Sequence, residues 1–357
     1  MKPHIIILGA GVIGASLAFH LAPHARVTVI DSHGPAAGAS AKGFGWINAS
    51  FAETPAYFRL RLAAIAAHHA LAAQIGPLAL WGGALWWEES GPAFDAHANQ
   101  MSNLGYPVDV LDAAAFSLRE PHVANPPDRC LLAHAEGAVD GGALTRLLLD
   151  HAARIGATLR LGASATGLIL TGGRVTGAQT DNGPMQADHV IIATGAGAVP
   201  LLAAHGIALP LGTQPGLILH TAPVDTVIRH LILAPDIHFR QANDGRLIAG
   251  EIFSGDGPNA HRITTDPEGL AMDVLARLQA RLSATGLRLD RLMLGRRPVP
   301  QDGRPFVGPV PGLPGATLAV MHSGVTLAPI IGKLLAAEVL GQGASDLLAA
   351  FRPSRLM

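Results

Sequence analysis

One cysteine, Cys130, serves a chain of 357 residues, which excludes an internal disulfide framework and any cysteine-based metal cluster. It lies in the apolar run Cys130-Leu131-Leu132-Ala133 and is expected to be a buried thiol. Charge is equally thin: 25 Lys+Arg stand against 26 Asp+Glu, so nothing in the electrostatics favours nucleic acid as a partner. Aromatics make up only 4% of the chain, so each tryptophan and tyrosine carries more information than usual. No apolar stretch reaches the roughly twenty residues of a membrane span. The aliphatics after Lys2 are interrupted by glycine too early for a signal peptide, so a cytoplasmic protein is expected, with peripheral contact at the inner membrane left open. The histidines are not read as a metal site; His68, His69, His97 and His205 fall in helical or polar segments and read as surface residues. What the chain has in plenty is alanine and leucine, within a hydrophobic fraction of 49%. That composition and length fit a globular protein of two domains.

Residues 1–31 carry the strongest local pattern. His4-Ile5-Ile6-Ile7-Leu8 reads as a parallel strand covered on both faces, and it runs into Gly9-Ala10-Gly11-Val12-Ile13-Gly14. Gly9 permits the tight turn, Gly11 lets a pyrophosphate approach, and Gly14 brings the helix close to the strand. Phosphates would sit on the free NH groups at the start of that helix. A second strand, Arg26-Val27-Thr28-Val29-Ile30, ends on Asp31, placed so that its carboxylate can accept from both ribose hydroxyls and disfavour a 2′-phosphate. This fingerprint alone leaves FAD and NAD both open.

The pattern then becomes discontinuous. A Gly/Ala/Ser loop covers residues 34–45, and helices are expected over 57–75, 92–104 and 137–155, the last entered from Asp140. A strand or hairpin is expected over 80–88. Strands over 165–170, 174–180 and 189–194 are separated by the turn signals Gly172-Gly173 and Asn182-Gly183. Further strands are expected over 217–220, 237–240 and 247–253, then helices over 267–284 and 327–340. This gives an α/β architecture in which a Rossmann-like nucleotide domain (1–50, 135–208 and 292–357) is interleaved with an α+β substrate domain carrying a mixed or antiparallel sheet (51–134 and 209–291).

Four ordered motifs carry a family resemblance: the fingerprint; Gly38-Ala39-Ser40-Ala41-Lys42-Gly43; Asp188-His189-Val190-Ile191-Ile192-Ala193-Thr194-Gly195-Ala196; and the block Arg297-Pro298, Asp302-Gly303-Arg304-Pro305, Gly308 and His322-Ser323-Gly324-Val325-Thr326-Leu327-Ala328-Pro329. Together they resemble the D-amino acid oxidase superfamily of FAD-dependent oxidoreductases, in its glycine oxidase and D-amino acid dehydrogenase branch. The resemblance implies FAD held by Gly9, Gly11, Val12, Ile13, Gly14, Asp31, Ser32, Ala39, Ser40, Lys42, Gly43, Thr166, Ala193, Thr194, Gly195, Arg297, Ser323, Gly324, Val325, Thr326 and Leu327. It also implies that FAD is not covalently attached, because the carboxy-terminal block has no cysteine and Lys42 stands where some relatives carry a flavin-linking histidine.

Ser323-Gly324 precedes an apolar helix, so the NH groups of Val325, Thr326 and Leu327 are expected to face the flavin and favour negative charge as it accepts a hydride. Pro329 is read as tolerated near the helix start. Arg297 ends a strand before Pro298; its guanidinium matches a carboxylate in two-point geometry, the role of the corresponding arginine in the resembled oxidases. Arg296 points to the opposite face. His238 stands where glycine oxidase has a substrate-facing tyrosine, and His322 where it has an arginine; Trp46 and Asn48 lie where relatives line the flavin's face. The expected reaction is oxidation of the carbon–nitrogen bond of an amino acid or N-substituted amino acid by hydride transfer to flavin, giving an imine and then an oxo acid, with His322 helping to set the amine's protonation. O2 and a quinone or other carrier both remain open as electron acceptor, and so does a homo- or hetero-oligomer. The alternatives are a flavin subunit that needs a partner chain, as in proline, hydroxyproline or opine dehydrogenation, and an NAD-dependent dehydrogenase.

Overall fold

A computed structural model describes residues 1–52, 54–225, 227–251, 259–282 and 286–356. The β-branched run at the amino terminus forms the strand His4–Leu8, in the middle of a six-stranded sheet whose order is Phe306–Pro309, Ala316–Val320, His189–Ile192, His4–Leu8, Arg26–Asp31 and Thr158–Leu161. Every pairing in it is parallel except the edge strand Phe306–Pro309. Burial on both faces explains the lack of alternation in Ile5 to Leu8.

The helices Val12–Leu21, Gly141–Arg154 and Gly324–Val339 pack on one face of this sheet. Close approach of the first and last depends on Gly332, where a Cβ would lie 2.1 Å from Ser16 Oγ. Ser16 Oγ in turn donates to the Ala328 carbonyl at 2.7 Å. On the other face lies a small antiparallel sheet of Ala165–Thr171, Arg174–Thr180 and Gly183–Gln186, whose Leu168, Val175 and Ala178 meet Ile6, Leu8 and Val190. Its first turn is Gly172-Gly173 with both φ positive, as the sequence implied.

The second layer is an eight-stranded sheet ordered Leu289–Pro300, Leu211–Pro223, Arg246–Gly250, His238–Gln241, Leu231–Leu233, Ala84–Trp86, Arg129–Ala133 and Val108–Asp112. It is antiparallel except between Leu231–Leu233 and Ala84–Trp86. Alternation divides its faces. Leu217, Leu219, Phe239 and Leu247 pack under the helix Pro267–Arg281, while Ile218, Ile248, Leu233 and Trp86 join the core that also holds Ile7, Val12 and Leu327. The site therefore lies between the second face and the nucleotide-binding layer.

Several expectations change. The boundary at 292 falls inside the strand Leu289–Pro300, which stays paired with Leu211–Pro223 as far as Pro300, so residues 292–300 belong by hydrogen bonding to the large sheet. The stretch 80–88 yields one short strand, Ala84–Trp86, because Gly83 adopts φ +83° and Gly82 packs with its Cα against the Arg229 carbonyl. The strands Val108–Asp112 and Arg129–Ala133 and the helix Ala113–Arg119 went unread. Cys130 is fully buried in one of them, and burial pushes its thiol up to about 12. The strand expected to reach 253 is described over Arg246–Gly250 and the helix expected to reach 284 over Pro267–Arg281; Phe253 and Ala284 lie outside the described residues. No described helix is long and apolar enough to cross a membrane.

Candidate active site

At the amino-terminal end the site is made of main chain. Gly9 adopts φ +105°, and a Cβ there would lie 2.5 Å from the Ala193 carbonyl oxygen; at Gly14 it would lie 1.9 Å from the Gly9 carbonyl oxygen. Neither position admits a side chain, and at Gly9 the turn presses against Ala193 and Thr194. Ser40 Oγ accepts from the Val12 NH at 3.0 Å and lies near Gly11, which joins the second motif to the start of the fingerprint helix. Thr194 Oγ1 is buried and has no hydrogen-bond partner among the described residues. A glycine cradle beside an unsatisfied buried hydroxyl fits a phosphate or ribose oxygen.

Asp31 is more committed than the sequence implied. Its Oδ1 accepts from the His33 and Gly34 NH groups at 2.8 and 2.9 Å, and Oδ2 from the Ala10 NH at 2.8 Å. Of about four lone-pair positions on a carboxylate, one is left, so Asp31 has room for one ribose hydroxyl rather than two. Ser32 Oγ pairs with His33 Nδ1 at 2.8 Å, and Thr166 is exposed with Oγ1 at 3.4 Å from the Gln179 carbonyl.

The other end is made of side chains. Arg297 sits opposite Gln214 on the large sheet, and Gly295, two residues earlier on the same face, abuts Lys42, so Arg297 projects toward the nucleotide layer. Its Nη2 donates to the Pro215 carbonyl at 3.3 Å, and its Nε occupies space that a Cβ on Gly216 would crowd, at 3.4 Å. Burial lowers its pKa. Arg296 is exposed and turned away, with Nη2 at 3.2 Å from Thr213 Oγ1.

His322 comes close enough to Arg297 and Arg61 that both charges push its pKa down, after burial, to about 4. Ser323, in the left-handed region at φ +53°, turns the chain into the helix Gly324–Val339. Its carbonyl accepts from the Leu327 NH at 3.1 Å, so Leu327 is not among the free donors. The NH groups ahead of that first intrahelical bond belong to Gly324, Val325 and Thr326. Thr326 Oγ1 donates to the Trp46 carbonyl at 2.9 Å and ties the short strand Trp46–Ile47, which follows the second motif, to this helix start.

Pro329 is the sixth residue of the helix, beyond the first turn, so its missing NH leaves the Val325 carbonyl without its i+4 donor. His68 fills the place: Nε2 lies 3.0 Å from the Val325 carbonyl and 3.1 Å from that of Thr326. His68 is therefore a buried residue rather than a surface one, and burial lowers its pKa to about 4. His97 is also partly covered, stacked on Phe51 at 4.8 Å, whereas His69 is exposed and stacks on Trp81 at 4.0 Å. His20 and His24, four apart in sequence, straddle the helix end at Leu21, and among the described residues no group of three or more metal-ligating side chains occurs.

Other expected residues have different partners. Trp46 Nε1 donates to Glu136 Oε2 at 2.8 Å; this fully buried carboxylate also accepts from the NH groups of Ala49 and Ser50 and from Tyr106 OH. Burial raises the Glu136 pKa against those donors, and desolvation together with the Glu136 charge raises that of Tyr106. His238 lies on the sheet face toward the nucleotide layer, but its Nε2 pairs with the Glu88 carboxylate. Two strand positions on, Arg240 Nε donates to the Phe44 carbonyl at 2.8 Å. A cleft of about 540 Å³ lies at the far end of the sheet, lined by Trp81, Val224, Arg229, His230 and Gln241 among others, and takes in neither Arg297 nor His322.

Sequence reasoning missed Arg61. It lies on the helix Pro55–Ile75, is buried, and donates through Nη2 to Ser323 Oγ at 2.7 Å and Tyr57 OH at 3.2 Å and through Nη1 to Asn48 Oδ1. The available signal was spacing: Tyr57, Arg61 and His68 fall on one helical stripe and share it with the buried Leu60, Ala64 and Leu71.

Known proteins match this arrangement over nearly the whole chain. An uncharacterized oxidoreductase of Bacillus subtilis, YurR, is 30% identical and covers 99% of both chains. Among solved structures, iminodiacetate oxidase from Chelativorans sp. superposes with a TM-score of 0.84 at 26% identity, covering 98% of each chain. Glycine oxidase from Geobacillus kaustophilus superposes at 0.86 and 23% identity, covering 100% of each. The profile of the family described as DAO, FAD dependent oxidoreductase, matches residues 4–338. The chain belongs to this family of FAD-dependent oxidoreductases.

Proposed function

We propose that the protein oxidises the carbon–nitrogen bond of an amino acid or N-substituted amino acid whose carboxylate is held by Arg297. The observation that supports this reading most is the place of Arg297: a largely buried guanidinium, lying over the Cβ-free Gly216 and near both His322 and the start of the helix Gly324–Val339. A buried cation favours an anionic ligand, and the guanidinium fork selects a carboxylate. The reading is supported by the names of two proteins of the same fold, iminodiacetate oxidase and glycine oxidase.

FAD, bound without a covalent link, supplies the two-electron acceptor. The protein's part is binding and orientation. Arg297 fixes the carboxylate, and with it the Cα–N bond. The NH groups of Gly324, Val325 and Thr326 present the positive end of the helix to negative charge developing in front of them. The substrate loses a hydride from Cα and a proton from nitrogen; the resulting imine takes up water and releases ammonia or an amine, leaving an oxo acid.

The experiment is anaerobic mixing of the yellow protein with glycine, D- and L-amino acids, N-methyl amino acids, proline and iminodiacetate. Loss of the visible flavin band with at least one of them is expected. A flavin that stays oxidised with the entire panel would refute the proposal.

A further inference from the structure

Arg61 is a buried cation that enters none of the ion pairs among the described residues; its guanidinium is occupied by the neutral acceptors Asn48, Tyr57 and Ser323. The contact with Ser323 determines more than the shape of the turn. Ser323 Oγ accepts from Arg61 Nη2 at 2.7 Å and lies 3.1 Å from His322 Nδ1. A hydroxyl has one hydrogen to give and two positions at which to accept. If His322 carried its hydrogen on Nδ1, both neighbours would donate into the same oxygen, and the Ser323 hydrogen would lose its nearby acceptor. With Nδ1 bare, the chain runs in one direction, from Arg61 to Ser323 to His322. The guanidinium charge polarises the hydroxyl and strengthens its donation.

We propose that Arg61 and Ser323 act as positioning residues that hold His322 in the tautomer with its hydrogen on Nε2, so that the ring serves as a second donor, beside Arg297, to the substrate carboxylate. The inference rests on the functional reading above and deepens it. A ring in this state gives a hydrogen bond and takes no proton, so it does not deprotonate the amine, contrary to the role the sequence suggested for it. The site then offers the substrate donors on its carboxylate side, and the amine arrives neutral or loses its proton to water. Arg297 supplies a fork for two of the carboxylate's lone-pair positions, and His322 reaches another.

The test is a long-range proton–nitrogen spectrum of the FAD-loaded enzyme labelled with 15N-histidine, recorded near pH 7.5 without substrate, with the His322 signals assigned by their loss in His322→Gln. The expected result is hydrogen on Nε2 and a bare Nδ1 in the wild type, with the Nδ1–H form gaining population in Ser323→Ala and in Arg61→Met. Hydrogen on Nδ1 in the wild type would overturn the proposal, as would a tautomer unmoved in both variants; if either variant fails to fold, the wild-type spectrum still decides. A kinetic arm uses amide reach, since Gln places its NH2 near the Nε2 position and Asn near Nδ1. His322→Gln should keep KM within about threefold while His322→Asn raises it about tenfold or more, the scale of one lost charged hydrogen bond. Equal KM values for the two would count against the proposal. Because the spectrum is read without turnover, a flavin that no substrate reduces would sink the proposed reaction while leaving the tautomer assignment standing.

Discussion

At the amino-terminal end of the site the contacts are made to main chain: Gly9 and Gly14 bring backbone to backbone at distances that exclude a Cβ, and the Asp31 carboxylate ties two NH groups of its own turn and the Ala10 NH of the glycine turn. At the reactive end they are side chains drawn from distant parts of the sequence, with Arg61 reaching Ser323, Thr326 reaching Trp46, His68 reaching Val325, and Arg297 arriving on a strand of the other layer. The two ends therefore fail in different ways. An added atom breaks the first at its glycines; a removed group breaks the second by leaving buried partners unsatisfied.

The comparison can be broken by pairs of variants. Gly14→Ala places a Cβ 1.9 Å from a carbonyl oxygen of the main chain; the helix has to move, at a cost of about 3 kcal/mol or more, and the expected readout is protein that emerges from gel filtration without its yellow colour. Arg297→Met should do the reverse, retaining full FAD while kcat/KM falls roughly 10²- to 10³-fold, the range for truncating one partner of a buried charged contact. If Arg297→Met loses FAD and Gly14→Ala keeps it, the division between the ends is wrong.

Acid should weaken the fold. His20, His68, His189 and His322 all have pKa values lowered to about 4, in each case chiefly by burial. An unfolded histidine titrates near 6.5, so the stability associated with each neutral ring is complete above that pH and is lost as pH falls from about 6.5 toward 4, by up to about 1.4 kcal/mol per pH unit per ring. Urea midpoints at pH 7 and pH 5 check this, and a midpoint unchanged over that interval would contradict it. His68→Leu isolates one ring: it leaves the Val325 carbonyl without a donor, costs about 1–3 kcal/mol at pH 7, and should flatten the pH dependence. The smallest effect belongs to Arg296→Ala, whose exposed side chain points away from the site; stability should stay within about 0.5 kcal/mol and kcat/KM should be unaltered, so a large loss would place the working arginine one residue too late.

The glycine turn and its flanking strands were legible because each of their requirements is local: a strand, a glycine for positive φ, a glycine for close packing and an acid closing the next strand all occur within residues 4–31. Arg297 and the turn at Ser323 were legible through motifs. Arg61 and His68 were not, because a long Ala/Leu helix conceals which of its polar residues face inward until the helix Gly324–Val339 packs against it. Leu327 was misassigned for a smaller reason, since the first intrahelical bond begins one residue earlier than its motif suggested. Asp31 ends the strand Arg26–Asp31 as expected, but its bonds to the NH groups of Ala10, His33 and Gly34 depend on loop conformations that residue types do not specify.

The carboxylate grip proposed for Arg297 is tested most directly by varying the substrate. Each amino acid that reduces the flavin should be compared, anaerobically, with the amine that lacks its carboxylate, in wild type and in Arg297→Met. The expected result is that losing the carboxylate slows reduction about 10²-fold or more in the wild type and by little in the variant. Equal sensitivity to the carboxylate in both proteins would show that Arg297 does not hold it.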